Sequence, residues 1–265
     1  TSEETACVAV RGNGAIMLDG PLNDRVGMVL RGSGAFNPSE LSAILVGFNG
    51  RPMSGRFDVF AGGEWAFVGS VIGGESGGSP AKSSLSIEYL NDISRPSGQL
   101  MLHEIALFAP GRTPSRIDAQ PPTTAILNLG EETDGAGWHP VEAGQRGGTC
   151  WMGEMSDVFV NVRPAGSYRI VIPEMRPLVA DLIPKLKMFL DGEPVRLDVE
   201  PTRRDSSAYM AQGQCVVPSD TRVMRTLRIS FPKEDVKSPM ELGLNPDLRP
   251  LTIAVRCIVL TATAS

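Results

Sequence analysis

The sequence lacks the features that mark several common classes of protein. Aromatic residues make up only 6% of its 265 residues, there are two histidines, and 25 Lys and Arg stand against 30 Asp and Glu, which gives a net charge of −5. Nucleic-acid binding requires a basic surface, so this charge argues against nucleic acid as a partner. No apolar run approaches the roughly 18–20 residues of a transmembrane helix, and we expect no membrane span.

The start of the chain, TSEETA, is polar and acidic and shows no basic-then-apolar signal peptide. A signal that had already been removed would leave the same pattern. Because the chain does not begin with Met, we expect it to be processed, trimmed or a fragment. Localisation therefore stays open between the cytoplasm and a cell surface or virion.

The four cysteines are far apart and form neither a CxxC motif nor a disulfide framework. Cys215 and Cys257 lie in apolar, strand-like segments, and we interpret both as buried thiols. Clustered Cys, His and carboxylate residues at the short spacing of a metal site are also missing, so we expect no metal and no cofactor.

Glycine and proline are frequent, with 29 and 21 residues, and they divide the chain into short segments typical of an all-β protein. The chain also contains an internal repeat. At an offset of 142 residues, four segments of the first half lie over four of the second, one of them IML (16–18) over VFV (158–160). The last strand repeats at an offset of 153. The other matched segments are VGMVL (26–30) with YRIVI (168–172), AILVGFNGRP (43–52) with KLKMFLDGEP (185–194), SLSIEY (84–89) with TLRISF (226–231), and LMLHEIALFA (100–109) with IAVRCIVLTA (253–262).

The repeated segments read as strands, because apolar residues alternate or run for five to eight positions. Asn49-Gly50 and Asp191-Gly192 each separate two strands and predict a tight hairpin with positive φ at both central positions. In the returning strands we match Phe57 with Leu197 and Val59 with Val199.

The repeat predicts an all-β fold of two tandem antiparallel β-sandwich, jelly-roll-like domains that arose by internal duplication. The first domain covers residues 1–109 and the second covers residues 124–265. The proline-rich segment 110–123 is a semi-rigid linker between them. Helical signals are weak: a short helix is expected from Pro38 with Asn37 as its cap, and a single turn within 177–184.

Binding residues are sought among the few aromatic and polar residues at turns. Trp65 follows two glycines in GGEW, and Trp138 precedes His139 in GAGWHP, so either ring could be presented outward to stack on a sugar. The alternative for each Trp is packing in its own core. For His139, and for His103 within a predicted strand, a packed or interfacial position is favoured over a general base.

No catalytic constellation stands out. The glycine-rich stretches GGEW (62–65) and GGESGG (73–78) lack the Lys-Ser/Thr of a phosphate loop, and we interpret them as β loops. The acidic pairs Glu131/Glu132 and Glu154/Asp157 could in principle serve glycoside hydrolysis, but solvated loop charges are the simpler interpretation. There is no G-x-S-x-G elbow. The sequence favours a non-enzymatic protein.

The tail SPMELGLNPDLRPLTIAVRCIVL (238–260) resembles the closing segment of a β-sandwich module of bacterial polysaccharide-biosynthesis proteins, often attached to glycosyltransferases. The resemblance covers residues 124–265, including GWHPVE from Gly137 and CWM from Cys150; Thr252 replaces a usual Gly. It implies a β-sandwich associated with polysaccharide. Asp247 and Arg249 of the motif are expected to form an ion pair that fixes the entry into the last strand, with sugar contact as the alternative.

The leading hypothesis is a non-enzymatic tandem β-sandwich that recognises, or is associated with, bacterial surface glycan. Its candidate ligand-binding residues are Trp65, Trp138, His139, Asp247 and Arg249. The alternative is a structural or assembly protein, such as a surface-layer, spike or virion component, in which the chain forms a homo-oligomer or a larger assembly.

Overall fold

The computed structural model describes residues 8–10, 14–19, 26–34, 40, 43–71, 82–89, 100–108, 122–129, 135–139, 149–203, 205–220, 222 and 224–263. These residues are almost entirely antiparallel β-structure, so the predicted all-β fold is confirmed. The chain divides into two compact units, unit 1 (Thr1–Ile126) and unit 2 (Leu127–Ser265). Most of the predicted linker, 110–123, lies outside the described residues.

Unit 1 contains two antiparallel sheets. Its strands are β1 (Val8–Val10), β2 (Gly14–Asp19), β3 (Val26–Ser33), β4 (Ile44–Phe48), β5 (Arg51–Pro52), β6 (Ser54–Val59), β7 (Glu64–Val71), β8 (Lys82–Tyr89) and β9 (Leu100–Phe108). Sheet 1a has the order β1-β9-β3-β7-β6. Sheet 1b has the order β2-β8-β4-β5. The next strand, β10 (Thr124–Asn128), contains the division between the units.

Unit 2 repeats this arrangement. Its strands are β11 (Gly135–Trp138), β12 (Cys150–Asn161), β13 (Ser167–Pro177), β14 (Lys187–Leu190), β15 (Glu193–Val195), β16 (Leu197–Pro201), β17 (Tyr209–Val216), β18 (Met224–Ser230), β19 (Ile253–Val255) and β20 (Cys257–Thr263). Sheet 2a runs β16-β17-β13, and β20 and β19 then pair with β13 one after the other along its length. The start of β12 pairs with β19. Sheet 2b runs β11-β12-β18-β14-β15.

In each unit the chain crosses several times between the two sheets, while the hairpins β4-β5, β6-β7, β14-β15 and β16-β17 each stay within one sheet. In sheet 2b one face is buried, whereas consecutive residues are buried in β3 of sheet 1a and in β19 and β20 of sheet 2a. In β18, for example, Arg225, Leu227 and Ile229 are buried, while Thr226 and Arg228 between them are partly exposed. This period of two is what a β-sandwich requires, because each sheet packs one face into the core and leaves the other to solvent.

The two predicted hairpin turns are confirmed. Asn49 and Gly50 have φ of 48° and 76°, and Asp191 and Gly192 have φ of 50° and 90°. Each turn carries the same reinforcement: the Asn49 side-chain oxygen accepts from Ser84 N at 2.8 Å, and the Asp191 carboxylate accepts from Thr226 N at 2.9 Å. The first turn residue of each pair thereby fixes the adjacent strand, β8 or β18.

The two units share pairing register as well as strand order. Ile16 faces Leu85 in sheet 1b, and Val158 faces Leu227 in sheet 2b, 142 residues later. The outer strand of sheet 1a agrees too, since β1 pairs with β9 as the start of β12 pairs with β19. A duplicated domain requires such agreement; a common origin of the two units itself stays a prediction.

Both expected matches in the returning strands, Phe57 with Leu197 and Val59 with Val199, are wrong. Phe57 pairs with Phe67 of β7, and Val199 pairs with Ala211 of β17. Because Phe67 and Ala211 face equivalent residues of β3 and β13, Val199, and not Leu197, occupies the place of Phe57. The turn-and-return segments are therefore equal in length, and the repeated Arg-apolar-Asp-Val pattern is displaced by two residues.

Helical structure is short, as expected. The single turn predicted within 177–184 is a 3₁₀ segment, Ala180–Lys185, and a second one covers Lys233–Asp235. The helix expected from Pro38 lies outside the described residues, apart from Glu40.

The turn geometry makes a prediction about Gly192. A Cβ at this position would meet no atom within 4 Å, so Gly192→Ala introduces only conformational strain. We expect the variant to lose about 1–2 kcal/mol of unfolding free energy, because an L-residue with a Cβ disfavours positive φ. Asn tolerates this region, so the matched variant Gly192→Asn should lose clearly less. Urea unfolding followed by circular dichroism measures both; equal losses would contradict the assigned turn.

Candidate functional site

Trp65 lies in the core of unit 1, with 2% of its surface exposed. Its ring centroid is 6.1 Å from that of Phe57. A Cβ on Gly32 would come within 2.4 Å of the indole, so the ring fills space that only glycine leaves open. Gly62 and Gly63, with φ of 88° and 80°, form the turn between β6 and β7, as expected of a β loop. They do not present Trp65 outward, and that expectation is corrected.

Trp138 and His139 are half-buried at the edge of sheet 2b. Gly137, with φ of 81°, forms an irregularity in the pairing of β11 with β12. The Trp138 indole Nε1 then donates to the carbonyl oxygen of Asp157 at 2.9 Å. The backbone N of His139 donates to the Trp151 carbonyl at 2.8 Å. Trp138 is therefore held against β12 with part of its ring accessible.

Asp247 and Arg249 form the expected ion pair. Arg249 Nε lies 3.0 Å from both carboxylate oxygens of Asp247, Nη2 donates to Oδ2 at 2.6 Å, and the backbone N donates to Oδ1 at 2.9 Å. These bonds from Arg249 are the main reason that the pKa of Asp247 falls to about 2, and the charge of His139 contributes. The structure thus places His139 near this pair, while Trp65 lies apart in unit 1.

The loop that carries this pair, residues 237–251, is tied down at both ends. Ser238 donates its N to the Glu241 carboxylate at 2.7 Å, in the manner of a capping box. Thr252, which stands in the place of the motif's usual Gly, is buried and directs its hydroxyl to the Gly153 carbonyl at 2.8 Å. Thr252 therefore links the loop to β12. The Asp247–Arg249 pair is well placed to fix the loop.

A second group of residues lies on the outer face of sheet 2b, and the sequence singled out only Trp138 and Asp157 among them. Phe189, Arg228, Asp157 and Ala136 face one another in a row across β14, β18, β12 and β11. Phe159, in the next row, is 46% exposed. We call the following five residues the platform: Trp138, Asp157, Phe159, Phe189 and Arg228.

At the centre of the platform, Arg228 and Asp157 form a bidentate pair. Arg228 Nε donates to Asp157 Oδ1 at 2.7 Å and Nη2 donates to Oδ2 at 2.8 Å. The Arg228 side chain is 43% exposed. Its third nitrogen, Nη1, has no hydrogen-bond partner among the residues that the structure describes. The guanidinium is thus held in a fixed plane with one edge available to a ligand.

The platform adjoins a cleft of about 550 Å³, a volume in the usual range of small-ligand sites. Its lining residues, which we call the arginine cleft, are Phe189, Asp191, Gly192, Arg222, Thr226 and Arg228. The hairpin turn at Asp191 forms one wall. This turn joins β14 to β15, and its Asp191 bonds to Thr226 of β18, so the wall is held against β18.

Behind the cleft lies a buried arginine, Arg225, whose side chain is inaccessible to solvent. Its Nη1 donates to Asp191 at 2.9 Å and to Asp220 at 3.0 Å, and its Nη2 donates to Asp220 and to the Pro218 carbonyl. Arg222, at the mouth, donates to Asp220 at 3.1 Å from both Nε and Nη2. A guanidinium with two carboxylates can remain charged in the interior, so Arg225 anchors the wall of the cleft.

Hydrogen bonds from Arg225 hold the pKa of Asp220 at about 2. The pKa of Asp191 is also lowered: burial opposes the shift, but the bonds from Thr226 N and Arg225 and the nearby Arg222 outweigh it. Both carboxylates are therefore ionised throughout the neutral range, and the network keeps its charges.

Unit 1 carries no such platform at the equivalent positions. There, Ala15 stands in the place of Asp157, Ser86 in the place of Arg228, and Gly47 in the place of Phe189. Met17, equivalent to Phe159, is 58% exposed. The inward residues of these strands are mostly apolar in both units, and the buried Arg225 of unit 2 has buried Ser83 as its equivalent in unit 1. The units therefore differ at Arg225 as well as on the outer face.

His103 and the cysteines that the structure describes belong neither to the platform nor to the arginine cleft. His103 is exposed, not packed, and its Nε2 lies 2.8 Å from Ser33 Oγ. Cys150, Cys215 and Cys257 are free thiols; Cys257 is buried as expected, and Cys215 is half-buried. Within the described residues, His, Cys and carboxylate side chains form no group of three suited to a metal ion. The same residues include no helix of the length and apolarity that a bilayer requires. GGESGG and Glu131/Glu132 lie outside the described residues.

Comparison with known proteins gives only distant structural neighbours. No family model matches the chain, and no curated protein matches it. The ANX1 ectodomain from Arabidopsis thaliana is similar over 97% of this chain and 83% of that chain, at 7% identity and a TM-score of 0.28. The M60 catalytic domain with the CBM51-1 and CBM51-2 domains from Clostridium perfringens ZmpB is similar over 97% and 34%, at 8% identity and a TM-score of 0.21. Neither TM-score supports an assignment of function, so the proposal below is based on unit 2 itself.

The depressed pKa of Asp220 makes a prediction about acid stability. A carboxyl with a folded pKa of about 2 and an unfolded pKa of about 3.9 stabilises the fold above pH 4 and loses that contribution as the pH falls towards 2. We expect the urea midpoint to fall between pH 5 and pH 2. Asp220→Asn should have a lower midpoint at pH 7 and a smaller fall on acidification.

The matched control is Asp198→Asn, which removes an exposed carboxylate from β16 of the same unit. It should leave both the midpoint at pH 7 and its fall unchanged. An Asp220→Asn variant that behaves like this control would show that the Arg225 network does not stabilise unit 2.

Proposed function

We propose that the chain is a non-enzymatic glycan-binding protein and that unit 2 binds glycan through the platform and the arginine cleft. The observation that carries the proposal is the row across sheet 2b, where an aromatic ring stands beside a bidentate Arg–Asp pair on a solvent-accessible sheet face. The half-buried Trp138 lies next to this row, since its indole Nε1 donates to the Asp157 carbonyl oxygen.

This combination suits the chemistry of a sugar ring. A pyranose has an apolar face of C–H groups, which stacks on Phe or Trp, and an edge of hydroxyls, which accept and donate hydrogen bonds. Arg228 offers donors and Asp157 offers acceptors at the same edge. Because the two side chains hold each other in place, little side-chain entropy remains to be lost on binding.

The carboxylates around the cleft favour binding over hydrolysis. Glycoside hydrolysis requires a carboxylic acid that is still protonated near neutral pH, which means a raised pKa. Asp191 and Asp220 have lowered pKa values and are bonded to arginine. Asp157 is engaged by two bonds from Arg228. These residues are suited to orienting a ligand, and we assign them that role.

The resemblance of 238–260 to a module of bacterial polysaccharide-biosynthesis proteins supports the same ligand class, and we extend the proposal to bacterial polysaccharide. Asp247 and Arg249, which carry that resemblance, are engaged mainly with each other. In this proposal they shape the loop near His139, and the platform contacts the sugar.

The alternative of a structural or assembly protein stays a hypothesis. The surface that it would use is the loop 237–251, where Met240, Leu244 and Leu248 are 55%, 57% and 71% exposed. This loop is distinct from the platform residues, so variants of the platform test the glycan hypothesis separately.

Affinity electrophoresis in gels containing bacterial polysaccharides tests the proposal. Arg228→Gln should weaken retardation about tenfold or more, since a hydrogen bond to a charged group contributes about 1.5–3 kcal/mol. Phe159→Ala and Phe189→Ala should each weaken it about two- to tenfold through lost stacking. Met17→Ala, the unit 1 equivalent of Phe159→Ala, is the control and should bind like the parent chain. The proposal fails if no polysaccharide retards the chain, or if the platform variants bind as well as Met17→Ala.

A further inference from the structure

Each arginine at the arginine cleft already has a carboxylate partner. Arg228 is paired with Asp157, and Arg222 with Asp220. Buried Arg225 is paired with both Asp191 and Asp220. Each of the three guanidinium groups thus contacts at least one of three carboxylates. The formal charge of these six side chains together is zero.

The donors and acceptors that remain are mixed in kind. Arg222 uses Nε and Nη2 on Asp220, and Arg228 uses Nε and Nη2 on Asp157, so Nη1 of each is available within the described part of the chain. Asp191 has lone pairs left, because each of its oxygens receives one short hydrogen bond. The Phe189 ring lines the same cleft. A ligand here finds donors, acceptors and an apolar surface together.

An anionic ligand would be poorly matched to this arrangement. A carboxylate or sulfate carries acceptors only, and it would stand beside Asp191, which lines the cleft, while Arg222 and Arg228 are already neutralised by Asp220 and Asp157. Lys187 lies on the same outer face, but it is outside the cleft lining. A hydroxyl can both donate and accept, so a neutral polyol satisfies both sets of groups without bringing a like charge to the carboxylates.

We propose that the arginine cleft takes a neutral, hydroxyl-rich sugar residue and discriminates against uronic acids. This inference rests on the proposed function, since it names the class of glycan that the same site binds. Binding through paired charges to an uncharged ligand should also depend little on salt, in contrast to recognition of an anion by unpaired arginines.

The test compares polymers that differ only at the carboxyl group. Polygalacturonate and alginate are each run beside their carboxyl-reduced forms, in which a hydroxymethyl group replaces the carboxylate, with the complete chain in affinity gels at 20 mM and 500 mM NaCl. We expect the reduced form to bind more tightly than its acidic parent, with a change in affinity of less than about twofold between the two salt concentrations.

A variant of the cleft tests the same preference for neutral over acidic sugar. Asp220→Asn removes the carboxylate that neutralises Arg222, so it should strengthen binding of the acidic parents at 20 mM NaCl and make it salt-sensitive; circular dichroism establishes that the variant is folded. If the variant does not fold, binding of the unaltered chain to the two polymer pairs still tests the preference for neutral sugar.

The outcomes separate this inference from the proposed function. Tighter binding of the acidic parents by the unaltered chain, lost at 500 mM NaCl, would overturn the preference for neutral sugar and leave glycan binding supported. Binding of neither member of either pair, nor of any polysaccharide in the earlier panel, would overturn both.

Discussion

The register of β12, β18 and β14 is the constraint on which the proposed site depends. Side chains alternate along a strand, so a slip of one residue would bury Arg228 and expose Leu227. The Asp191 turn prevents this slip. Its backbone N donates to the Thr226 carbonyl at 2.8 Å and its carboxylate accepts from Thr226 N at 2.9 Å, which fixes β14 on β18 at the point where the chain reverses.

The same constraint acts in unit 1 with a different result on the surface. Asn49 bonds to Ser84 as Asp191 bonds to Thr226, and the inward residues of the paired strands are mostly apolar in both units, with Ser83 and Arg225 as buried polar exceptions. The outward residues differ: unit 1 has Ala15 and Ser86 where unit 2 has Asp157 and Arg228. Similar interiors with different outer faces are the pattern expected if a domain was duplicated and one copy acquired a binding surface.

Local patterns predicted the elements of the fold well. Asn-Gly and Asp-Gly fix a turn through the φ angles of two adjacent residues, so the sequence alone identifies them. The alternation in LKMFL and LRISF likewise predicts which residues of β14 and β18 face outward. The position of Trp65 could not be read in this way, because its burial depends on the space above Gly32, a residue of another strand.

The platform could not be predicted from the sequence for the same physical reason. Phe189, Arg228 and Asp157 become neighbours only through the pairing of three strands, and Arg228 and Asp157 are 71 residues apart in the chain. If one residue pair between β12 and β18 and one between β18 and β14 were known, the positions of all three residues would follow. Side chains alternate along each strand, so one aligned pair fixes which residues of two paired strands share a face. Of the residues that the sequence singled out, Trp138 and Asp157 belong to this surface, and His139, Asp247 and Arg249 lie together elsewhere in unit 2.

NMR titration of the isotopically labelled chain with a neutral hexose oligosaccharide tests the central claim most directly. The claim predicts shifts of the Arg228 Nε–Hε signal and of the Phe189 ring signals, while the Met17 methyl and Ser86 amide signals of the equivalent face of unit 1 stay in place. Saturable binding that leaves Arg228 and Phe189 unshifted, or that shifts only unit 1 or the loop 237–251, would contradict it.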